Sequence, residues 1–327
     1  MSKLLEELAS DDVELIRLEQ IKVSTSYELL ISPRLGKFAR YKPAGVTIDT
    51  SRIDNHTLPA RLYIRKEDSM NLLRAAQENY SGQLKQDLSS KDPEKIKTTF
   101  TTITAETLAE PRGATLEGLT RIIESMIESF LRDPKIMLNL INMASSDKYD
   151  TTIHCTNACI LTLACCLRSQ FPREITISAG KGAIVHDIGK TEEGFQQDLI
   201  HSESRLTDLQ YEAMRSHTDR GYRVLSNSGI TDGVITQAVY QHHEKLDGSG
   251  YPRGLSGTNV SIPGRVIALV NFYDRMTYGG VIVPRKGGGF FRRKHGKKEA
   301  LQKIARDVAA GALDRDLFKE FIQLIRQ

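Results

Sequence analysis

Over most of this chain the apolar residues recur every three to four positions, and the stretches that break the rhythm are short. Between 115 and 131, Leu116, Leu119, Ile122, Ile123, Met126, Ile127 and Phe130 fall on one helical face. Ile153–Leu167 is apolar nearly all round, which predicts a helix at the centre of a bundle. Thr207 followed by Gln210 spells a capping box for a helix running to about Leu225. Ser261 with Pro263 opens another, through about Met276. The tail, 298–326, fits two amphipathic helices broken near Gly311.

The first third reads differently. Residues 21–66 hold β-rich pieces, YELLI, GVTI and ARLYIRK, separated by Pro, Gly and Asn/Asp turn signals. From Glu67 to about Gln86 the pattern turns helical, and 87–114 is polar, Thr-rich and poor in large apolar residues. A boundary is predicted near 110, with Pro111 and Gly113 as punctuation. The expected fold class is therefore mainly α: a small α+β N-terminal domain with a linker over 1–110, regulatory or sensory in kind, and an all-α bundle over 111–327. No internal repeat is evident.

Composition narrows the function classes. The 327 residues can bury two cores. A net charge of +4 permits an anionic ligand but lacks the dense basic stripe of a protein that binds bulk nucleic acid. No apolar run nears the roughly 20 residues of a membrane span, and the acid-laced N-terminus lacks the apolar core of a secretory signal. A cytoplasmic location is expected. Cys155, Cys159, Cys165 and Cys166 share one predicted helix without a CxxC pair, and read as small core residues in a reducing compartment.

Against that background, several polar residues sit where helices should be apolar. His217 lies beside the Tyr211/Met214/Leu225 stripe; His242 and His243 follow Ile235, Ala238 and Val239; Asn271 and Asp274 continue the face of Ile267 and Val270. His186-Asp187 ends the apolar run AIV, and His154 opens the most apolar helix with Asp150 one turn earlier. A lone buried histidine is usually a hydrogen-bonded core residue. Five on four helices are another matter, because each unpaired burial costs on the order of several kcal/mol. Metal ions are the economical partner for neutral imidazole and carboxylate. Asp187, flanked by histidines, suits a bridging position between two ions, which together activate water and hold a phosphate oxygen for in-line attack.

The order His154, His186-Asp187-Ile-Gly-Lys190, His217 with Gly221, and HHEKLDGSGYP at 242–252 resembles the HD-GYP family over roughly 120–325. Members of that family are phosphodiesterases that hydrolyse the bacterial second messenger cyclic di-GMP. The resemblance implies an HD-type helical bundle with one metal held by His154, His186, Asp187 and the residue at 271, and a second by Asp187, His217, His242 and His243. It implies iron as the metal, with manganese or zinc as alternatives, and Asp187 and Lys190 as the catalytic pair, the lysine stabilising charge on the scissile phosphate. The signature loop would be Asp247, Gly248, Gly250, Tyr251 and Pro252, a surface other signalling proteins could use, with Tyr251 read as packing the loop rather than reacting. Glu244 is read either as orienting a ligand histidine or as capping the helix end.

Three departures from the family pattern stand out. Asn271 replaces the usual aspartate and brings no charge, so the first metal site is expected to be weaker, with Asp274 as a substitute ligand. Asp150 replaces a longer glutamate, so two metals are expected and Asp150 is the candidate for a third. The arginine-rich stretch that grips substrate phosphate gives way to YGGVIVPRKGGGFFRRKHGKK, where Arg285, Lys286 and Arg292 become the substrate-binding candidates and Phe290 or Phe291 a base-stacking platform. The rival reading is a catalytically weak or inactive member that binds a cyclic dinucleotide or a partner protein; a third is an enzyme acting on another nucleotide.

Overall fold

A computed structural model describes residues 5–6, 10–34, 37–49, 58–143, 149–192, 207–279, 281–284 and 290–327. The chain divides into two compact units, Met1–Gln83 and Leu84–Gln327. The architecture is mainly helical, with a small antiparallel sheet in the first unit.

In that unit the strands β1 (Leu5–Glu6), β2 (Val13–Ile16), β3 (Leu29–Arg34), β4 (Lys37–Lys42) and β5 (Leu62–Arg65) form one sheet in the order β1-β4-β3-β5-β2. Ile16, Leu29, Leu62 and Ile64 build its core, and Ile48 joins them from an irregular segment. GVTI, read as a strand, is therefore a loop that contributes one anchor. Lys42 is buried, and its ammonium donates to the carbonyl oxygens of Ser24, Thr25 and Tyr27 at 3.0, 3.2 and 2.6 Å, which satisfies a charge that would otherwise be costly to bury.

After the short α1 (Leu18–Ile21), helix α2 (Lys66–Ser90) runs through the division. The predicted linker is a helix: α3 (Pro93–Ala109) starts on Asp92, whose carboxylate accepts from the backbone N–H of Glu94 and Lys95, with Pro93 at the first turn. Its Ile96, Phe100 and Ile103 are fully buried, and it packs on α6 (Thr151–Arg168) and α7 (Arg173–Val185). The expected break near 110 thus falls inside the second unit, because a few large apolar residues at helical spacing outweigh a threonine-rich composition. Helix α4 (Gly113–Arg132) buries the predicted face, α5 (Pro134–Asn142) follows it, and α6 is buried almost throughout, its four cysteines included.

The capping box at Thr207 opens α8 (Asp208–Arg215), but the run then breaks and restarts as α9 (His217–Asn227). Helix α10 (Gly233–Gln241) stops just before His242. Helix α11 (Ile262–Asp274) continues into a π-helical turn, Arg275–Gly279. The segment with the basic substrate-binding candidates pairs in part as two antiparallel strands, β6 (Val281–Pro284) and β7 (Phe290–Arg293). Arg285 and Lys286 lie outside the described residues, as do the side chains of Phe290, Phe291 and Arg292. The tail forms α12 (Lys297–Ala309) and α13 (Arg315–Ile325), separated at Gly311, whose φ of 79° suits glycine. Among the described residues no helix is long and apolar enough to cross a membrane.

If α3 is part of the second core, Phe100→Ala destabilises that unit by about 3–5 kcal/mol. Urea unfolding followed by circular dichroism measures this, and a change below about 0.5 kcal/mol, the usual size for surface substitutions, would return the segment to the status of a linker.

Candidate metal centre

Two clusters of potential ligand atoms lie in the second unit: His154, His186 and Asp187, and His217, His242 and His243. Each histidine comes from an element end. His154 is in the first turn of α6, His186 caps the C-terminus of α7, His217 begins α9, and His242 and His243 follow α10. Gly189 makes the approach possible, because a Cβ there would overlap the backbone of His217 and Gly221. The Ile188–Lys190 turn can therefore press directly onto α9.

The ring nitrogens have defined roles. Nδ1 of His186, His217 and His242 lies 2.7, 2.6 and 2.7 Å from the carbonyl oxygens of Ala183, Met214 and Val239. A carbonyl can only accept, so Nδ1 carries the proton and each neutral ring presents a bare Nε2. His154 does the same with another acceptor, its Nδ1 lying 2.7 Å from Oδ2 of Asp274. These bare nitrogens meet in pairs: Nε2 of His154 and His186 are 3.0 Å apart, and Nε2 of His217 and His242 are 3.1 Å apart. Lone pairs facing each other at that distance repel unless a cation lies between them.

Asp187 joins the two pairs. Its Oδ2 is 3.4 and 3.7 Å from Nε2 of His154 and His186, and its Oδ1 is 3.2 and 3.6 Å from Nε2 of His217 and His242. Oδ1 of Asp187, Nε2 of His243 and Oδ1 of Asn271 are buried with no hydrogen-bond partner among the described residues. Electron-pair donors gathered with a single buried ammonium, that of Lys190 on Asp187 Oδ2, among them fit divalent metal ions.

The electrostatics agree. Burial keeps the imidazoles neutral, holding His186 and His243 well below their ordinary value and lowering His242. Burial, followed by the charge of Lys190, pushes His217 down to about 4. Burial opposes ionisation of Asp187, but Lys190 and His186 prevail and hold its carboxyl well below the carboxylate range. Lys190 ion-pairs with Asp187 Oδ2; burial and then the charge of Arg275 lower its own value to about 8.

Other predicted residues have different places. Asp274 is not free to serve as a substitute ligand: Oδ2 also accepts from the Tyr149 hydroxyl at 2.6 Å, and Oδ1 accepts from Nδ2 of Asn157 at 3.1 Å. It orients His154 from behind. Asp150 is exposed and caps α6, accepting from the N–H of Ile153 at 2.8 Å. Asn271, expected with the His154 group, lines a cavity of about 360 Å³ walled by His242, His243 and Tyr251.

Glu244 binds the signature loop rather than a ligand histidine, accepting from the N–H of Arg253 and Leu255 at 2.7 and 2.9 Å. Asp247 closes the loop's own turn, accepting from the N–H and hydroxyl of Ser249 at 3.0 and 2.7 Å. Gly248 turns there with φ 81°, and a Cβ at Gly250 would overlap the backbone at Lys245. Tyr251, followed by Pro252, stacks on His243 with centroids 4.5 Å apart, and the Arg215 guanidinium lies 4.6 Å from the same ring.

The protein-family model of the HD domain matches residues 136–317. The chain belongs to the HD domain family. Over 204 residues, 62% of this chain and 46% of the relative, it is 28% identical to a cyclic di-GMP phosphodiesterase of Pseudomonas aeruginosa. It is 29% identical to the 3'3'-cGAMP-specific phosphodiesterase 1 of Vibrio cholerae over 145 residues, 44% of this chain and 31% of that one. The matches span less than half the length of either relative. The solved structure of an HDG"Y"P protein from Bdellovibrio bacteriovorus shares the fold with a TM-score of 0.62 at 16% identity, covering 97% of this chain and 100% of that chain.

Sequence reasoning missed four participants in this HD domain: Tyr149, Asn157, Arg215 and Arg275. Asn157 carried a signal, being a polar residue one turn beyond His154 in a helix otherwise apolar all round. Arg275 carried one too, four residues after Asn271 and so on the same helical face.

Two outcomes follow from the donor arrangement. Each imidazole must be neutral to bind a cation, and burial keeps the folded rings neutral well below the ordinary histidine value of 6.5, so metal is retained as pH falls through 6.5 and is lost only on approaching about 4 and below. Metal analysis after buffer exchange at stepped pH checks the window; loss already at the ordinary histidine value would contradict ligation by these buried, neutral rings. Asp274→Asn lowers metal affinity by about 10- to 100-fold, as read by titration against a competing chelator, and an unchanged affinity would mean that His154 needs no such orientation.

Proposed function

We propose that this HD domain hydrolyses a phosphodiester bond of a cyclic dinucleotide, cyclic di-GMP in first place, with two divalent ions held in the centre, iron first and manganese or zinc as alternatives. The observation that carries this reading is the pairing of bare imidazole nitrogens on opposite oxygens of Asp187. His154 and His186 with Oδ2, and His217, His242 and His243 with Oδ1, are the ligand groups it suggests. The names of the Pseudomonas and Vibrio relatives support the substrate class.

Bound divalent ions would supply Lewis acidity towards the phosphate. The chain supplies the rest. Asp187 holds the two halves of the centre in register, and Asp274 with Tyr149 fixes the tautomer and rotation of His154. The Lys190 ammonium, buried beside Asp187, is a fixed positive charge for the negative charge that develops on phosphate oxygens. Tyr251 and Arg215 brace His243 and leave the signature loop's outer face as a contact surface for signalling partners. The N-terminal unit takes a regulatory part.

Asn271 favours one second reading, a slow enzyme or a binder, because a neutral amide attracts a cation less than a carboxylate would. Incubation of metal-supplemented protein with a panel of cyclic dinucleotides decides between them. Turnover to linear dinucleotide is expected, with Asp187→Ala reducing both metal content and rate at least about 100-fold. Binding without turnover under all metals would leave only the second reading.

A further inference from the structure

We infer that Arg275 supplies the guanidinium that takes the phosphate of the ligand in this centre, an assignment resting on the phosphodiester reading above. The residue stands at the junction of two openings. One is the cavity walled by His242, His243 and Tyr251; the other is a recess lined by His154, Asp187 and Lys190; Arg275 borders both. A group bound across the two ligand clusters meets this side chain from either approach.

Its chemistry matches the place. Other arginines of the second unit, such as Arg168, Arg215, Arg220 and Arg265, are tied into ion pairs with acids. The Arg275 side chain makes no hydrogen bond or ion pair among the described residues, although it lines the same recess as the carboxylate of Asp187. The charge of Asp187 is already shared among Lys190 and the histidines. A planar fork of donors with no acceptor among the described residues, bordering a centre that gathers neutral nitrogens and a carboxylate, fits a phosphate through two parallel N–H···O bonds. Burial and then the charge of Arg275 lower Lys190, and the same charge works against the burial that raises Tyr149 and Tyr251.

The backbone explains why the side chain is held there. Helix α11 does not stop at Asp274 but widens into the π turn Arg275–Gly279, the kind of helical irregularity that recurs at functional sites. The turn is fastened along its length. The N–H of Arg275 donates to the carbonyls of Asn271 and Phe272, the Thr277 hydroxyl donates to Tyr273 O at 2.8 Å, and Met276 O accepts from the N–H of His295 at 2.8 Å. At its end Gly279 lies so close to Tyr149 that a Cβ would overlap the ring. Tyr149 is the residue that braces Asp274 and His154, so the same packing fixes the ligand histidine and the arginine.

Isothermal titration of inorganic phosphate into the full chain, reconstituted with manganese, tests the assignment without requiring turnover. Arg275→Gln is expected to retain the metal and to bind phosphate about 10- to 100-fold more weakly. Arg275→Lys keeps the charge but loses the fork, and is expected between the two. Where Arg275→Gln fails to fold or to hold metal, Arg275→Lys against the unaltered protein is the deciding pair. Equal phosphate affinity in the altered and unaltered proteins, or no phosphate binding by the unaltered one, overturns the assignment. Phosphate binding that depends on Arg275 in a protein that cleaves no cyclic dinucleotide would sink the proposed reaction and leave the arginine's role standing.

Discussion

Everything in the second unit turns on four imidazole rings whose protons are already committed. Ala183, Met214, Val239 and Asp274 accept the Nδ1–H groups, so the Nε2 lone pairs converge in the interior with no proton donor for them among the described residues. Burying lone pairs against one another is unfavourable by itself. It becomes favourable when cations occupy the space between them, and Asp187 offers one oxygen to each pair. The cost of assembling the centre is thus borne by the fold and repaid on metal binding.

The rest of the bundle can be understood as support for that arrangement. The rings are short, so their backbones must come close, and two glycines permit it: Gly189 lets the turn after Asp187 touch α9, and Gly250 lets the signature loop fold back on the chain after His243. Helix α6, buried on all sides, leaves His154 little freedom to rotate, and Asn157 and Tyr149 hold the carboxylate behind it. Helix α3, with its fully buried Phe100, extends the core that backs α6 and α7 beyond the matched HD domain.

Charge is distributed unevenly around the centre. Asp274 is saturated by Tyr149, His154 and Asn157, and Oδ2 of Asp187 is held by Lys190, while Lys190 and Arg275 line the recess beside them. Asn271, buried at the same centre, adds no charge. The combination leaves a positive rim over a cluster of neutral nitrogens, which suits an anionic ligand in a protein whose overall charge is only +4.

The sequence alone determined the helical class of the bundle, the five histidines and the glycine-rich loop, because these are written as period and as adjacency: an apolar stripe every 3.6 residues, HD and HH as neighbours, two glycines and a proline in six positions; the division of the histidines into two groups came from the resemblance to the HD-GYP family. It misjudged 87–114, where composition suggested a linker and three buried side chains make a helix, and GVTI, where β-rich residues anchor a loop. Only the tertiary structure decided that Asp274, legible along the chain as a substitute ligand, turns to a histidine instead. Tyr149 and Asn157 are waiting for it, whereas Asp187 has four bare nitrogens around it. Hydrogen-bond partners more than a hundred residues apart are brought together by packing, and no local pattern records which of them will meet.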